Sequence, residues 1–269
     1  MTRILEDGPD ERRKYLDQLF SQAFPGYVKA LSDYQQALSR RNALLRQLFE
    51  KGGDQNQLLY WDEMIAANGA IIIQARLKSL AEFEIFLKEQ YSKLTGGKED
   101  IRIEYQPSFN GGPMKDDQMN LSILSREESS VDYEEIKQKF IKQLASLRCE
   151  EIQRGVTTIG PHRDEIRFFS NTMDLGVYGS RGQIRTAVMA MKIAEIQWLR
   201  EKTGELPVLL LDETLAELDE FRRNDLLSNL GLEEQAILTT ADLGMFSEEF
   251  IKTCQVWQVE EGKINKARA

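Results

Sequence analysis

The chain has 269 residues, 41% of them hydrophobic and 29% charged, with a formal net charge of -9. That length and apolar content suit about two packed domains and exclude a chain that is disordered as a whole. No apolar run approaches the roughly 20 residues that span a bilayer, and Met1 to Asp10 carries acids but no apolar signal core, so the expectation is a cytoplasmic protein with no membrane partner.

From about residue 9 to 50 the apolar residues Leu31, Tyr34, Leu38, Leu45 and Leu48 recur at helical spacing, with Arg41 interrupting the stripe. Lys51-Gly52-Gly53-Asp54 supplies the residues of a tight reversal. Residues 55–95 then carry Ile73, Leu77, Leu80, Leu87, Tyr91 and Leu94 at steps of three and four, with Glu84 as the interruption. Two such helices joined by a short turn predict an antiparallel helical hairpin, an arm-like lobe. Gly96-Gly97-Lys98 ends it, and Ile101 to Tyr105 alternates as a half-exposed strand does. A loop follows to about residue 130. Tyr133, Ile136, Phe140, Leu144 and Leu147 predict a helix over about 131–153, closed by Gly155. These elements form a mainly helical lobe, residues 1–154.

Residues 155–269 read as an α/β lobe. Gly160-Pro161-His162-Arg163-Asp164 is a turn leading into a short strand, Glu165 to Phe169. A helix over about 182–203 ends at Gly204, and Val208 to Leu211 reads as a strand buried on both faces. A helix with Phe221, Leu226, Leu227 and Leu230 and a strand, Ala236 to Thr239, complete a β-α-β unit with parallel pairing. Val256 to Val259, Glu261-Gly262 and Ile264 predict a closing hairpin. Cys149 and Cys254 are far apart and the chain has one histidine, so neither a disulfide framework nor a zinc site is indicated, and the two thiols read as buried.

Two places carry candidate chemistry. Asp212-Glu213 ends the apolar strand, where an open α/β sheet binds ligands; the first carboxylate suits a Mg²⁺ water shell and the second an attacking water. Gly179-Ser180-Arg181-Gly182-Gln183 precedes the long helix. Ser180 and Gln183 have the spacing of a capping box, which by itself requires no ligand, yet the same hydroxyl, glycine amides and positive helix end would also receive a phosphate.

Gly-Ser-Arg-Gly-Gln followed by a helix, then Leu-Leu-Leu-Asp-Glu, then Ala216-Glu217-Leu218-Asp219 resembles the signature motif, Walker B and D-loop of ABC-type ATPases. Within that group the chain resembles the RecF family, which is related to SMC proteins. Asp10 to Asp17, Tyr34 to Leu45 and Thr157 to Asp164 are similar to segments of that family in the same order, so the match covers nearly the whole chain. The resemblance implies an α/β fold: the C-terminal part of an ABC-type ATPase head with a helical hairpin arm. It implies ATP and Mg²⁺ as cofactors, with Asp212 as the metal ligand through water and Glu213 as the residue that orients or deprotonates the hydrolytic water. Ser180, Gly182 and Gln183 would touch the γ-phosphate of a nucleotide held by the partner subunit of a homodimer, and Asp219 would lie at the dimer seam. The implied partners are single- and double-stranded DNA and recombination mediator proteins, with recombinase loaded at gaps or single-strand/double-strand junctions.

No G-x-x-x-x-G-K-[ST] occurs in the sequence. In the family that Walker A motif precedes the region where this chain begins, so the expectation is a chain lacking the phosphate cradle and unable to hold ATP alone. Lys and Arg number 14 against 15 Asp and Glu in residues 1–100, and 21 against 29 thereafter, which makes the first part the better DNA candidate. Arg40, Arg41, Arg46 and Lys51 are its densest basic cluster, although a charged helix face is commonly just solvated. His162 fits a structural role in its turn as readily as a chemical one. Trp61, Trp198 and Trp257 read as core or hairpin packing. A non-catalytic interaction module and a different SMC-like ATPase are the competing readings.

Overall fold

The structure, a computed structural model, describes residues 3–108, 132–212, 223, 227 and 235–266. They fall in two compact units, Met1–Leu206 and Pro207–Ala269.

The first unit is built on helices. After a short α1 (Arg3–Glu6), α2 spans Pro9–Ala23 and α3 spans Pro25–Lys51. The single helix expected over 9–50 is therefore two. Phe24 is extended (φ -133°, ψ 102°), because the ring of Pro25 clashes with a helical residue before it, while the proline itself suits the first turn of the next helix. Gly52 and Gly53, both at positive φ, turn the chain, and the Asp54 carboxylate accepts from the Asn56 N–H. The 38-residue α4 (Leu58–Thr95) then runs about 57 Å and stops at Gly96 in the left-handed conformation. Arg41 meets Asp62, Tyr34 lies beside Gly69 and Tyr27 meets Arg76, so α3 numbers fall as α4 numbers rise: the hairpin is antiparallel.

The two interruptions in the apolar stripes are both buried. Glu84 accepts from the Ile103 backbone N–H at 2.8 Å, which ties α4 to the first strand, and Arg41 is the centre of an ion network described below. Helix α5 (Tyr133–Arg154) is capped by Asp132 and lays Ile136, Phe140 and Leu144 against the hairpin. Gly69 is required there, since a Cβ would stand 2.6 Å from the Phe140 ring.

Strand β1 (Ile101–Gln106) pairs antiparallel with β2 (Glu165–Ser170), which turns at Asn171 and pairs antiparallel with β3 (Met173–Asp174). β1 is more buried than simple alternation predicts, because Glu104 is inside, paired with Arg102 at 3.3 Å. After the one-turn α6 (Leu175–Tyr178), α7 (Arg181–Thr203) packs Ile184, Val188, Met191 and Ala194 into the same core. Trp198, fully buried, meets Phe20, Phe24 and Phe83 edge-on at 5.7, 6.0 and 6.5 Å. Burial of such side chains contributes about 1.5–3 kcal/mol each. Residues 155–206, grouped from the sequence with the strands that follow, thus pack in the first unit.

In the second unit β4 (Leu209–Asp212) lies parallel to β5 (Ala236–Thr239), with Asp212 opposite Thr239, as the β-α-β reading requires. β4 is not buried on both faces: Leu211 is inside, whereas Leu210 is 72% and Val208 54% exposed on the opposite face, as strand alternation places them. Helix α8 (Glu248–Thr253) is capped by Ser247, and β6 (Trp257–Glu260) and β7 (Lys263–Lys266) form the expected hairpin. Glu261 and Gly262, at φ 50° and 76°, give its two-residue turn the positive φ pair that matches strand twist. Trp257 is exposed on that hairpin, and Trp61 is partly buried. Cys149 and Cys254 are exposed, not buried as expected: Cys149 falls on the solvent side of α5, away from its Ile136-Phe140-Leu144 stripe. Among the described residues no helix is long and apolar enough to cross a membrane.

Candidate functional site

The turn before α7 has the capped geometry that its sequence allows. The Gln183 backbone N–H donates to Ser180 Oγ at 3.2 Å, and the Ser180 N–H donates to Gln183 Oε1 at 3.1 Å. Ser180, Arg181 and Gly182 are exposed. Gly179 is fixed by space, because a Cβ would lie 2.5 Å from the Leu175 carbonyl oxygen. A serine hydroxyl and the first amides of a 23-residue helix therefore face solvent together, an arrangement that favours an anion.

Asp212 stands at the C-terminal end of β4, and its side chain is outside the described residues, as are Glu213, Glu217 and Asp219. Thr240, just past β5, spends its hydroxyl locally: it donates to the Asp242 carbonyl at 2.9 Å and accepts from the Asp242 N–H at 3.1 Å. Among the described residues no group of three or more His, Cys, Asp or Glu side chains is placed to hold a metal ion.

The basic cluster on α3 does not survive as a set. Arg41 is 0% exposed, with Nε on Asp62 at 2.8 Å and Nη1 on Glu151 at 2.7 Å and on Thr157 Oγ1 at 2.9 Å. It cannot reach a DNA phosphate. Asp62 also takes Arg148 at 2.8 Å, so two cations and two carboxylates neutralise one another inside the lobe. Arg40, Arg46 and Lys51 are exposed. At 100° per residue Arg40 and Lys51 share a face about 16 Å apart, while Arg46 points elsewhere, so they do not make one patch.

Sequence reasoning missed what Gly160-Pro161-His162-Arg163-Asp164 is attached to. Arg76 is buried in α4 and donates to Tyr27 Oη at 3.1 Å, the Pro161 carbonyl at 2.8 Å, Asp164 at 3.2 Å and Asp17 at 2.8 Å. Asp164 also receives the Tyr105 hydroxyl and, at 2.8 Å, the Ser108 N–H. Burial raises the Asp164 carboxyl above its ordinary value, against the pull of Arg76, Tyr105 and Ser108. The Tyr34 hydroxyl is 2.6 Å from His162 Nδ1, and His162 Nε2 is 3.3 Å from the Thr157 carbonyl. With Nε2–H donating to that carbonyl, Nδ1 accepts from Tyr34. A cavity of about 380 Å³ opens here, lined in part by Arg13, Lys14, Tyr34, Arg76, Pro161 and His162. One signal in the sequence pointed to these networks: a charged residue inside an apolar stripe, at Arg41 and again at Arg76 between Ile73 and Leu77.

Burial lowers the His162 pKa to about 4, with Arg163, Arg13 and Arg76 adding to the effect and the Thr157 carbonyl opposing it. The imidazole is therefore neutral near pH 7 and serves as a fixed hydrogen-bonding bridge. Its contribution to stability is complete above the unfolded value of about 6.5 and is lost as pH falls toward 4, by about 3 kcal/mol in all. Urea titrations from pH 7 to 4 should show that loss, and His162→Phe should flatten the corresponding part of the profile.

No protein-family model matches the chain. The DNA replication and repair protein RecF of Chloroflexus aurantiacus is 36% identical over 266 residues, which cover 97% of this chain and 64% of that protein. RecF of Halothermothrix orenii is 34% identical over 268 residues, covering 99% of this chain and 68% of that protein. A solved structure of the recombination mediator protein RecF-ATPrS in the RecFOR pathway superposes with a TM-score of 0.84 at 29% identity, over 99% of this chain and 66% of that one. This chain thus spans about two thirds of the length of the relatives it matches, and its α/β fold is the one expected for part of an ABC-type ATPase head with a helical arm. The chain belongs to the RecF family of DNA replication and repair proteins.

Proposed function

We propose that the chain supplies the signature-motif side of an ATP-dependent recombination mediator that acts on DNA in repair. Ser180, Gly182 and Gln183 contact the γ-phosphate of ATP held by the partner subunit of a homodimer. Asp212 binds Mg²⁺ through water and Glu213 orients the water that attacks, the ion supplying charge neutralisation of the phosphates when bound. Asp219 lies at the seam between subunits. DNA at gaps or single-strand/double-strand junctions and other recombination mediators are the partners, in the cytoplasm.

The observation that carries this reading is the capped, solvent-facing Ser180 turn at the head of a long helix, in a chain matched over nearly its whole length by RecF proteins. The likeness to the RecF-ATPrS structure supports the nucleotide in the same way.

The test uses the Glu213→Gln substitution in a polypeptide that also carries a Walker A segment. Binding survives and hydrolysis stops, so ATP should trap a dimer detectable by size-exclusion chromatography, with turnover reduced about 100-fold or more. Hydrolysis at the unmodified rate would remove Glu213 from the reaction.

A further inference from the structure

We infer that Glu99 is a positioning residue that fastens the Ser180 turn to the C-terminal end of the arm helix α4, through one carboxylate oxygen shared by Tyr91, Ser170 and Gln183. The role of that turn in phosphate contact rests on the function proposed above; the fastening itself does not.

Three donors converge on Glu99 Oε2. The Tyr91 hydroxyl donates at 2.8 Å from the penultimate turn of α4, the Ser170 hydroxyl at 2.7 Å from the end of β2, and Gln183 Nε2 at 3.5 Å from the first turn of α7. The hydroxyls of Ser170 and Tyr91 hold the carboxyl below its ordinary value, burial acting against them and Gln183 with them. Burial and the adjacent Glu99 in turn push the Tyr91 hydroxyl up to about 12, so it remains a donor.

The Gln183 amide is fixed by having one partner at each end. Its Oε1 accepts from the Ser180 N–H while its Nε2 faces Glu99. Turned over, the amide would set NH₂ against the Ser180 N–H and its oxygen against a carboxylate, two repulsions in place of two attractions. Glu99 therefore selects the amide orientation that closes the capping box, and its negative charge stands at the positive end of α7, where it is favoured. Position 99 sits just after the Gly96-Gly97 reversal that ends α4, so a change in the last turns of the arm is felt first at Tyr91, next at Glu99 and then at Gln183 and Ser180.

Removing the acceptor and replacing the donor by a carboxylate test this. In the 269-residue chain, amide hydrogen exchange measured by NMR at Ser180 and Gln183 should speed up about fivefold in Glu99→Ala, while amides in the middle of α4 keep their protection. Gln183→Glu alone brings two carboxylates together and should open the turn in the same way. The double variant Glu99→Ala/Gln183→Glu removes one of the two carboxylates, and the glutamate left at 183 accepts from the Ser180 N–H whichever way it is turned, so the exchange rates should return to within about twofold of the starting values.

Unchanged rates at Ser180 and Gln183 in Glu99→Ala would overturn the inference, as would a uniform rise across the whole first unit, or a double variant no better than its parents. Adding ATP, Mg²⁺ and a second copy of the chain that also carries a Walker A segment puts a separate question: if a dimer forms on size-exclusion chromatography and the turn's amides show no chemical-shift response, the phosphate contact is wrong, and the exchange result still decides the fastening.

Discussion

Arg41→Ala is expected to lower the stability of the first unit by about 3–5 kcal/mol, read as a shift of the urea midpoint with little change in slope. The size follows from what is left behind. Asp62 and Glu151 are both buried, and without the guanidinium Asp62 keeps Arg148 while Glu151 loses its ion pair, the one it has among the described residues. Thr157 loses a donor at the same time, and it leads the segment that continues into Gly160 and His162. Arg40→Ala, one residue away on the exposed surface, should stay within about 0.5 kcal/mol of the parent. Pairing Arg41→Ala with Asp62→Ala should recover part of the loss, because the double variant strands one fewer carboxylate. A chain whose midpoint is unmoved by Arg41→Ala but which binds DNA more weakly would show that this arginine is a surface ligand after all.

Gly160→Ala should be about as damaging, at about 3–5 kcal/mol. Gly160 has φ 121° and ψ 177°, a region open to glycine and closed to residues with a Cβ. A methyl group there would overlap the Tyr34 hydroxyl and stand 2.7 Å from the Phe140 ring. Neither neighbour can retreat, since Tyr34 is held by His162 and Phe140 is packed against Gly69. The backbone is also committed on both sides, with the Gly160 N–H donating to Ser108 Oγ at 2.7 Å and its carbonyl accepting from that hydroxyl at 2.9 Å. Tyr34→Phe added to Gly160→Ala removes one of the overlaps and should recover only a fraction of the loss. Thermal melts of the two variants check this; a Gly160→Ala chain melting with the parent would contradict the packing.

The hairpin and the parallel strand pair were legible because both are written in short-range pattern: apolar residues at three and four, glycines at the reversal, turn residues between two apolar runs. The Ser180 cap was legible for the same reason. What the pattern did not carry was partnership over long separations. Arg41 reads as a basic helix residue until Asp62, Glu151 and Thr157, 21, 110 and 116 positions away, are seen to close on it. His162 stands in an obvious turn, but its neutrality comes from burial aided by Arg163 and by arginines of α2 and α4, its Tyr34 partner comes from α3, and Asp164 takes partners from α4 and β1. Pro25 was visible in the sequence and outweighed there by the continuity of the apolar stripe; the steric rule for the residue before proline prevailed. Leu210 reads as internal from its neighbours alone, whereas its exposure depends on what packs over that face of β4.

The polar locks inside the arm bear on how it can move. A smooth apolar seam lets two helices slip past one another by a turn, and some long coiled coils signal in that way. Here a one-turn slip of α3 along α4 would draw Arg41 away from Asp62 and Tyr27 away from Arg76, stranding buried charge at two levels together. Sliding is thereby closed off as a low-energy motion. Any mechanical message between the Gly52-Gly53 tip and the base of the arm has to travel as tilt or torsion of the whole rod, delivered where α4 ends beside Tyr91 and Glu99.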